Sequence, residues 1–109
     1  LSSEDFDNPD VVKVNIRKDG TATTFFRNSN ERTTLKNCAK HIGIYGFKKE
    51  FLLQLINMKR TPNEMDLNLE QMRVLDNGFE INIAITALDS IGINRPEDLK
   101  KLKEIMTFA

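Results

Sequence analysis

The stretch His41-Ile42-Gly43-Ile44-Tyr45-Gly46-Phe47, followed by a helical run over residues 48–58, decides how this 109-residue chain folds. Ile42 and Ile44 alternate with His41, Gly43 and Tyr45, the period-two pattern of a strand with one apolar and one polar face. Phe51, Leu52, Leu55 and Ile56 then recur with helical spacing, in a segment that ends before Thr61-Pro62. The same change of period returns on both sides. Upstream, Val12, Val14 and Ile16 alternate with Lys13 and Asn15, Asp19-Gly20 supplies a tight turn, and the run from Thr21 to Phe26 fits the partner strand of a hairpin. Downstream, Asp66 can cap a helix striped by Leu69, Met72 and Leu75, with Gly78 at its end. Phe79, Ile81, Ile83 and Ile85 alternate as a further strand. A last helix opens at Pro96 with Glu97 and Asp98, and buries Leu99, Leu102, Ile105 and Met106. Residues 28–40 show no apolar period and read as a loop.

Strands alternating with helices predict an α/β layered fold with a local hairpin, in which some strand pairs are parallel. The chain fits one domain or part of one. Sixteen Lys and Arg balance sixteen Asp and Glu, so there is no electrostatic footprint for nucleic acid or an anionic membrane. No apolar run approaches the roughly 20 residues of a membrane span, and no secretory h-region is visible. The single Cys38 cannot form an intrachain disulfide, so a reducing, cytoplasmic setting is expected. It also reads as a bystander thiol rather than a nucleophile paired with His41. Leu1 in place of Met, with a strand following almost at once, reads as part of a longer chain.

Three blocks carry a family resemblance. His41 to Phe47, then Leu69-Glu70-Gln71-Met72-Arg73-Val74-Leu75-Asp76-Asn77-Gly78, then Asp89-Ser90-Ile91-Gly92-Ile93-Asn94-Arg95-Pro96-Glu97-Asp98-Leu99 resemble the HIGIYGY, LEQLRALENG and DSIGVDTPEDL segments of the CMP-Kdo synthetases, the 3-deoxy-manno-octulosonate cytidylyltransferases. The resemblance spans about residues 8–106 and is strongest from His41 onward. It implies that residues 1–109 form the C-terminal, sugar-binding and dimerisation part of a nucleotide-diphosphosugar transferase-like fold, without the N-terminal half that holds the nucleotide. The implied reaction transfers CMP from CTP to an eight-carbon acid sugar and releases pyrophosphate, for lipopolysaccharide synthesis in a cytoplasmic homodimer. The chain alone would be inactive.

Site residues follow from the resemblance one by one. His41 and Tyr45 match sugar-pocket residues that donate to the carboxylate and hydroxyls of the acid sugar. On an extended strand they would lie roughly 13 Å apart, flanking a ligand without touching. Glu70 and Gln71 match a pair that hydrogen-bonds sugar hydroxyls, and Arg73 is read as structural. Asn94 stands where the family's motif supplies a Mg²⁺-binding aspartate, and Arg95 replaces the neighbouring threonine. Mg²⁺ prefers anionic oxygen ligands, so an amide there weakens the site. Arg27 matches a family arginine whose flanking residues differ here.

The residues alone leave other readings open. His41 and Tyr45 would fit a sheet with satisfied polar tips, and Glu70, Arg73 and Asn77 would fit a solvated helix face. Asn94 and Arg95 would fit a lead-in to the last helix. Asn94, Arg95 and the altered segment after Arg27 also suit a non-catalytic interaction or dimerisation module, a decayed paralogue. An enzyme acting on a sialic acid relative or an amino-substituted Kdo is a third possibility, less well matched by the His41 and Leu69 blocks.

Overall fold

A computed structural model describes residues 1–28, 37–89 and 92–107. The chain opens on a short helix, α1 (Ser3–Asp7), capped by Ser2, whose Oγ accepts from the Asp5 N–H. Three strands follow, β1 (Lys13–Ile16), β2 (Ala22–Phe26) and β3 (Cys38–Lys40), and form one sheet in the order β2-β1-β3. Both pairings are antiparallel. The hairpin expected at Asp19-Gly20 is present. Gly20 has φ +87°, open only to glycine without strain, and Asp19 Oδ1 accepts from both the amide and the hydroxyl of Thr21. The register places Val14 opposite Phe25 and shifts between Asn15 and Ile16.

One sequence expectation changes at the sheet. The tail of the loop predicted for residues 28–40 is strand β3, because Cys38, Ala39 and Lys40 pair with Asn15, Val14 and Lys13. The rest of that loop, residues 29–36, lies outside the described residues. Lys13, on the polar side of the β1 alternation, is fully buried. Its ammonium donates to the carbonyls of Asn8 (2.8 Å) and Arg27 and sits 5.7 Å from the centroid of the Phe26 ring. Three acceptor surfaces therefore replace water around one charge, and burial, then Arg27, pulls its pKa down.

Four helices follow: α2 (Lys49–Ile56), α3 (Pro62–Leu67), α4 (Gln71–Asp76) and α5 (Pro96–Thr107). Asp66 lies inside α3, and the helix it was expected to cap, α4, begins after Glu70 with no side-chain cap. Thr61 begins α3 with a full capping box to Glu64, Pro62 takes the first turn, and Asn68 ends it at φ +54°. Leu69 and Met72 then join Val14, Ala22 and Phe25 in the core, with Leu75 packed against them. The expected strand over residues 79–85 and the expected parallel pairs are absent among the described residues. One bridge, Thr21 to Asn82, ties residues 81–83 to the edge of β2, with Ala22 N–H donating to Ile81 O (2.9 Å) and Ile83 N–H to Gly20 O (2.9 Å). A ladder needs a partner along its length, and beyond Ile83 this segment has none, leaving Ile85 and Leu88 exposed. The stripe of α5 is likewise open, with Leu99, Ile105 and Met106 exposed rather than buried.

Candidate functional site

His41 extends the sheet by one bond, its N–H donating to Val12 O (2.9 Å). From there the chain leaves the strand path. Gly43 sits at φ +87°, where its added Cβ would find ordinary contact with His41 Cε1 at 3.6 Å, so the backbone angle rather than space demands glycine. That bend brings Tyr45 back over His41. The phenol oxygen lies 2.6 Å from His41 Nε2, and the separation of roughly 13 Å expected on a straight strand is thereby corrected to direct contact.

The rings form a continuous stack. Phe25, from the core, meets His41 edge-on at 5.5 Å; Tyr45 packs on Phe47 at 6.0 Å, Phe47 on Phe51 of α2 at 6.2 Å, and Phe51 edge-on against Phe79 at 5.0 Å. Aromatic contacts of this kind fix orientation as well as burying area. Phe47 was not singled out from sequence, although its spacing of four from Phe51 was a legible signal.

These elements wall a cleft of about 1580 Å³, lined by His41, Tyr45, Phe51, Glu70 and Gln71 together with the segment 80–89. Four of the residues named from sequence therefore meet at one cleft. Gln71 lines the cleft, and its Nε2 is buried without a hydrogen-bond partner. An amide donor held away from water costs free energy unless something accepts from it, so a ligand oxygen in the cleft is the natural complement.

Arg73 is engaged elsewhere. It makes a two-pronged pair with Glu64, Nε to Oε1 at 2.8 Å and Nη2 to Oε2 at 2.6 Å, and Asn77 Nδ2 donates to its carbonyl. The Arg73 hydrogen bond holds the Glu64 carboxyl below its ordinary range. Of the helix face that would fit solvent, Glu70 and Asn77 are exposed and Arg73 alone is tied to α3.

Asn94 does not line the cleft. Its N–H and that of Arg95 both donate to Asp98 Oδ2 at 3.0 Å, which starts α5, and the Arg95 guanidinium reaches Asp10 with Nε to Oδ2 at 2.5 Å. Arg95 is therefore tied to a carboxylate rather than free for a phosphate. Among the described residues no three His, Cys, Asp or Glu side chains cluster as metal ligands. Asp98 is occupied by two amides, a guanidinium neighbours Asn94, and Asn94 offers one neutral oxygen, so these residues do not fit Mg²⁺ by themselves.

Relatives carry the same architecture. A solved structure described as CMP:2-keto-3-deoxy-manno-octonic acid synthetase complexed with CTP superposes with a TM-score of 0.82 over 98% of this chain, at 26% identity, and the chain covers 46% of it. The 3-deoxy-manno-octulosonate cytidylyltransferase of Geobacter metallireducens is 38% identical over 94% of this chain and 46% of its own length. The chain matches the C-terminal half of this cytidylyltransferase family. The cytidylyltransferase of Protochlamydia amoebophila is 33% identical over 95% of the chain and 42% of its own length. The chain thus spans about half the length of the cytidylyltransferases it matches, and its mixed α/β fold is theirs. No family model matches.

The site predicts a titration that is simple to read, because Tyr45 is the sole tyrosine and there is no tryptophan. Burial raises its pKa to about 12. The near-ultraviolet tyrosinate band is expected to appear with a midpoint about two units above that of a free phenol, and a midpoint near the free value would contradict the packing described. His41 is shifted down by burial from 6.5. The unfolded chain then binds the extra proton first, so stability is expected to fall as pH drops below about 6.5, and to stop falling on this account once the folded imidazole is also protonated.

Proposed function

We propose that this chain supplies the acid-sugar side of a cytidylyltransferase site, with His41, Tyr45, Glu70 and Gln71 contacting Kdo or a close relative. The carrying observation is the buried, unpartnered Gln71 Nε2 beside Glu70 in the aromatic-walled cleft. A sugar hydroxyl both donates and accepts, and Glu70 and Gln71 offer an acceptor and a donor side by side. In the complete protein, a sugar hydroxyl would attack the α-phosphate of CTP and release pyrophosphate, in the cytoplasm, for lipopolysaccharide synthesis. Residues 1–109 would serve as the sugar-binding and dimerisation part, and the open apolar stripe of α5 suits a homodimer contact. No described helix is long and apolar enough to cross a membrane. Mg²⁺ dependence belongs to this proposal only if its anionic ligands come from outside the described residues, with Asn94 adding an amide oxygen.

The test is pyrophosphate release from CTP with Kdo and Mg²⁺. The 109-residue chain alone is expected to give none above a heat-killed control, and the natural polypeptide that carries this sequence is expected to require both CTP and Kdo. Release that ignores Kdo would overturn the reading. A second reading, a non-catalytic interaction module, is favoured by one observation, the Arg95–Asp10 pair standing beside Asn94. Absence of release from the natural polypeptide would select it.

A further inference from the structure

One polar pair in the cleft already satisfies itself. Between His41 Nε2 and the Tyr45 oxygen, 2.6 Å apart, there is room for a single proton, carried either by the phenol or by the imidazole. The chemistry of the two groups decides between them. A phenol loses its proton near pH 10 and an imidazolium near 6.5, whereas a neutral imidazole N–H is a far weaker acid and a phenol oxygen a far weaker base. Hydrogen bonds strengthen as donor acidity and acceptor basicity approach each other, so O–H donating to N is the stronger arrangement. Burial favours the neutral form of both groups. The rings are also locked in place, with Phe25 edge-on to His41 and Phe47 stacked on Tyr45.

Resting on the acid-sugar reading above, we infer that His41 is a positioning residue whose bare Nε2 accepts the Tyr45 O–H hydrogen bond, so that Tyr45 offers the cleft an acceptor oxygen and selects a substrate hydroxyl rather than the substrate carboxylate. The Tyr45 oxygen then has no proton to spend on an anion, and the pair's remaining donor is His41 Nδ1–H, on the far side of the ring from Tyr45. The carboxylate falls to the other donors of the cleft, of which Gln71 Nε2 is buried and unpartnered. This reverses the role the family resemblance implies, in which both residues donate to the sugar acid.

The chain has one histidine and one tyrosine, so both can be followed without assignment. A long-range proton–nitrogen correlation spectrum of nitrogen-15 histidine, recorded above its titration, is expected to show Nδ1 protonated and Nε2 bare. In Tyr45→Phe, which keeps the stacked ring, the Nε2–H tautomer should rise. Protonated Nε2 in the parent chain, or a tautomer ratio unmoved by Tyr45→Phe, overturns the proposal. Binding is then compared for Kdo and its methyl ester. Tyr45→Phe is expected to weaken both by the same factor, about tenfold, and a loss confined to the free acid overturns the hydroxyl assignment. If neither probe perturbs His41 while Nδ1 carries the proton, the acid-sugar reading itself fails; if Kdo binds with Nε2 protonated, only this inference does.

Discussion

Phe25→Ala is expected to lower the unfolding free energy by about 3–5 kcal/mol, the range for removing a buried aromatic ring and leaving a cavity. Phe25 is 2% exposed, pairs across the hairpin with Val14, and packs in the core with Leu69 and Met72 of the α3–α4 region. Its ring therefore joins the sheet to the helices. It also braces His41, so the same substitution should blur the single imidazole signal before the chain unfolds. For a chain of this size each kcal/mol moves the midpoint by about 4–8 °C, which makes thermal denaturation a sensitive readout. Phe25→Leu, which keeps most of the volume, should cost clearly less. Equal losses for the two variants would show that Phe25 is not a packed core residue.

The second large effect is expected at the Glu64–Arg73 pair. Glu64 is 2% exposed and accepts both prongs of the Arg73 guanidinium, with Arg60 Nε a further 3.6 Å contact. Arg73→Met removes the charge but keeps an apolar stem of similar length, leaving a buried carboxylate served by Thr61 N–H and an exposed Arg60. The expected loss is about 3 kcal/mol, the lower part of the range for breaking a buried pair, because Thr61 N–H and Arg60 still serve the carboxylate. Adding Glu64→Leu should return part of it. The return is incomplete because Glu64 also closes the capping box with Thr61, worth about 1 kcal/mol. Acid should mimic the single substitution. The folded carboxyl sits below its unfolded value of 4.5, so the stabilisation is complete above about 4.5 and is lost as pH falls through the folded value. If Arg73→Met and the double variant denature together with the parent, the pair carries no net stability.

The parts of this fold that depend on local rules were legible. The Asp19-Gly20 turn, the β1–β2 hairpin, α2, and the opening of α5 at Pro96 each rest on residues within a few positions of one another. Misreadings fell where tertiary contact overrides pattern. Cys38 to Lys40 carries no strand signal of its own and becomes β3 by adding to the free edge of β1. The alternation over residues 79–85 is a sound strand pattern without a strand beside most of it. Asp66 is read as a cap because the break at Asn68, a non-glycine residue in the left-handed region that separates α3 from α4, is invisible to helical periodicity.

The lining of the cleft was legible in the sequence and its geometry was not. Residues 41, 45, 70 and 71 do meet at one cleft, yet strand alternation forbade the His41–Tyr45 contact that Gly43 makes possible. Asn94 is the converse case: of its two readings, the lead-in to the last helix is the one the local geometry displays, with Asn94 and Arg95 N–H on Asp98 and the arginine paired to Asp10.

Binding of the sugar itself tests the account most directly. Kdo titrated into the 109-residue chain, followed through the ring resonances of His41, is expected to give one saturable shift that is lost in Gln71→Leu, because Gln71 Nε2 is the buried donor the cleft leaves unpartnered. A His41 spectrum unmoved by Kdo, or moved equally in Gln71→Leu, would contradict it.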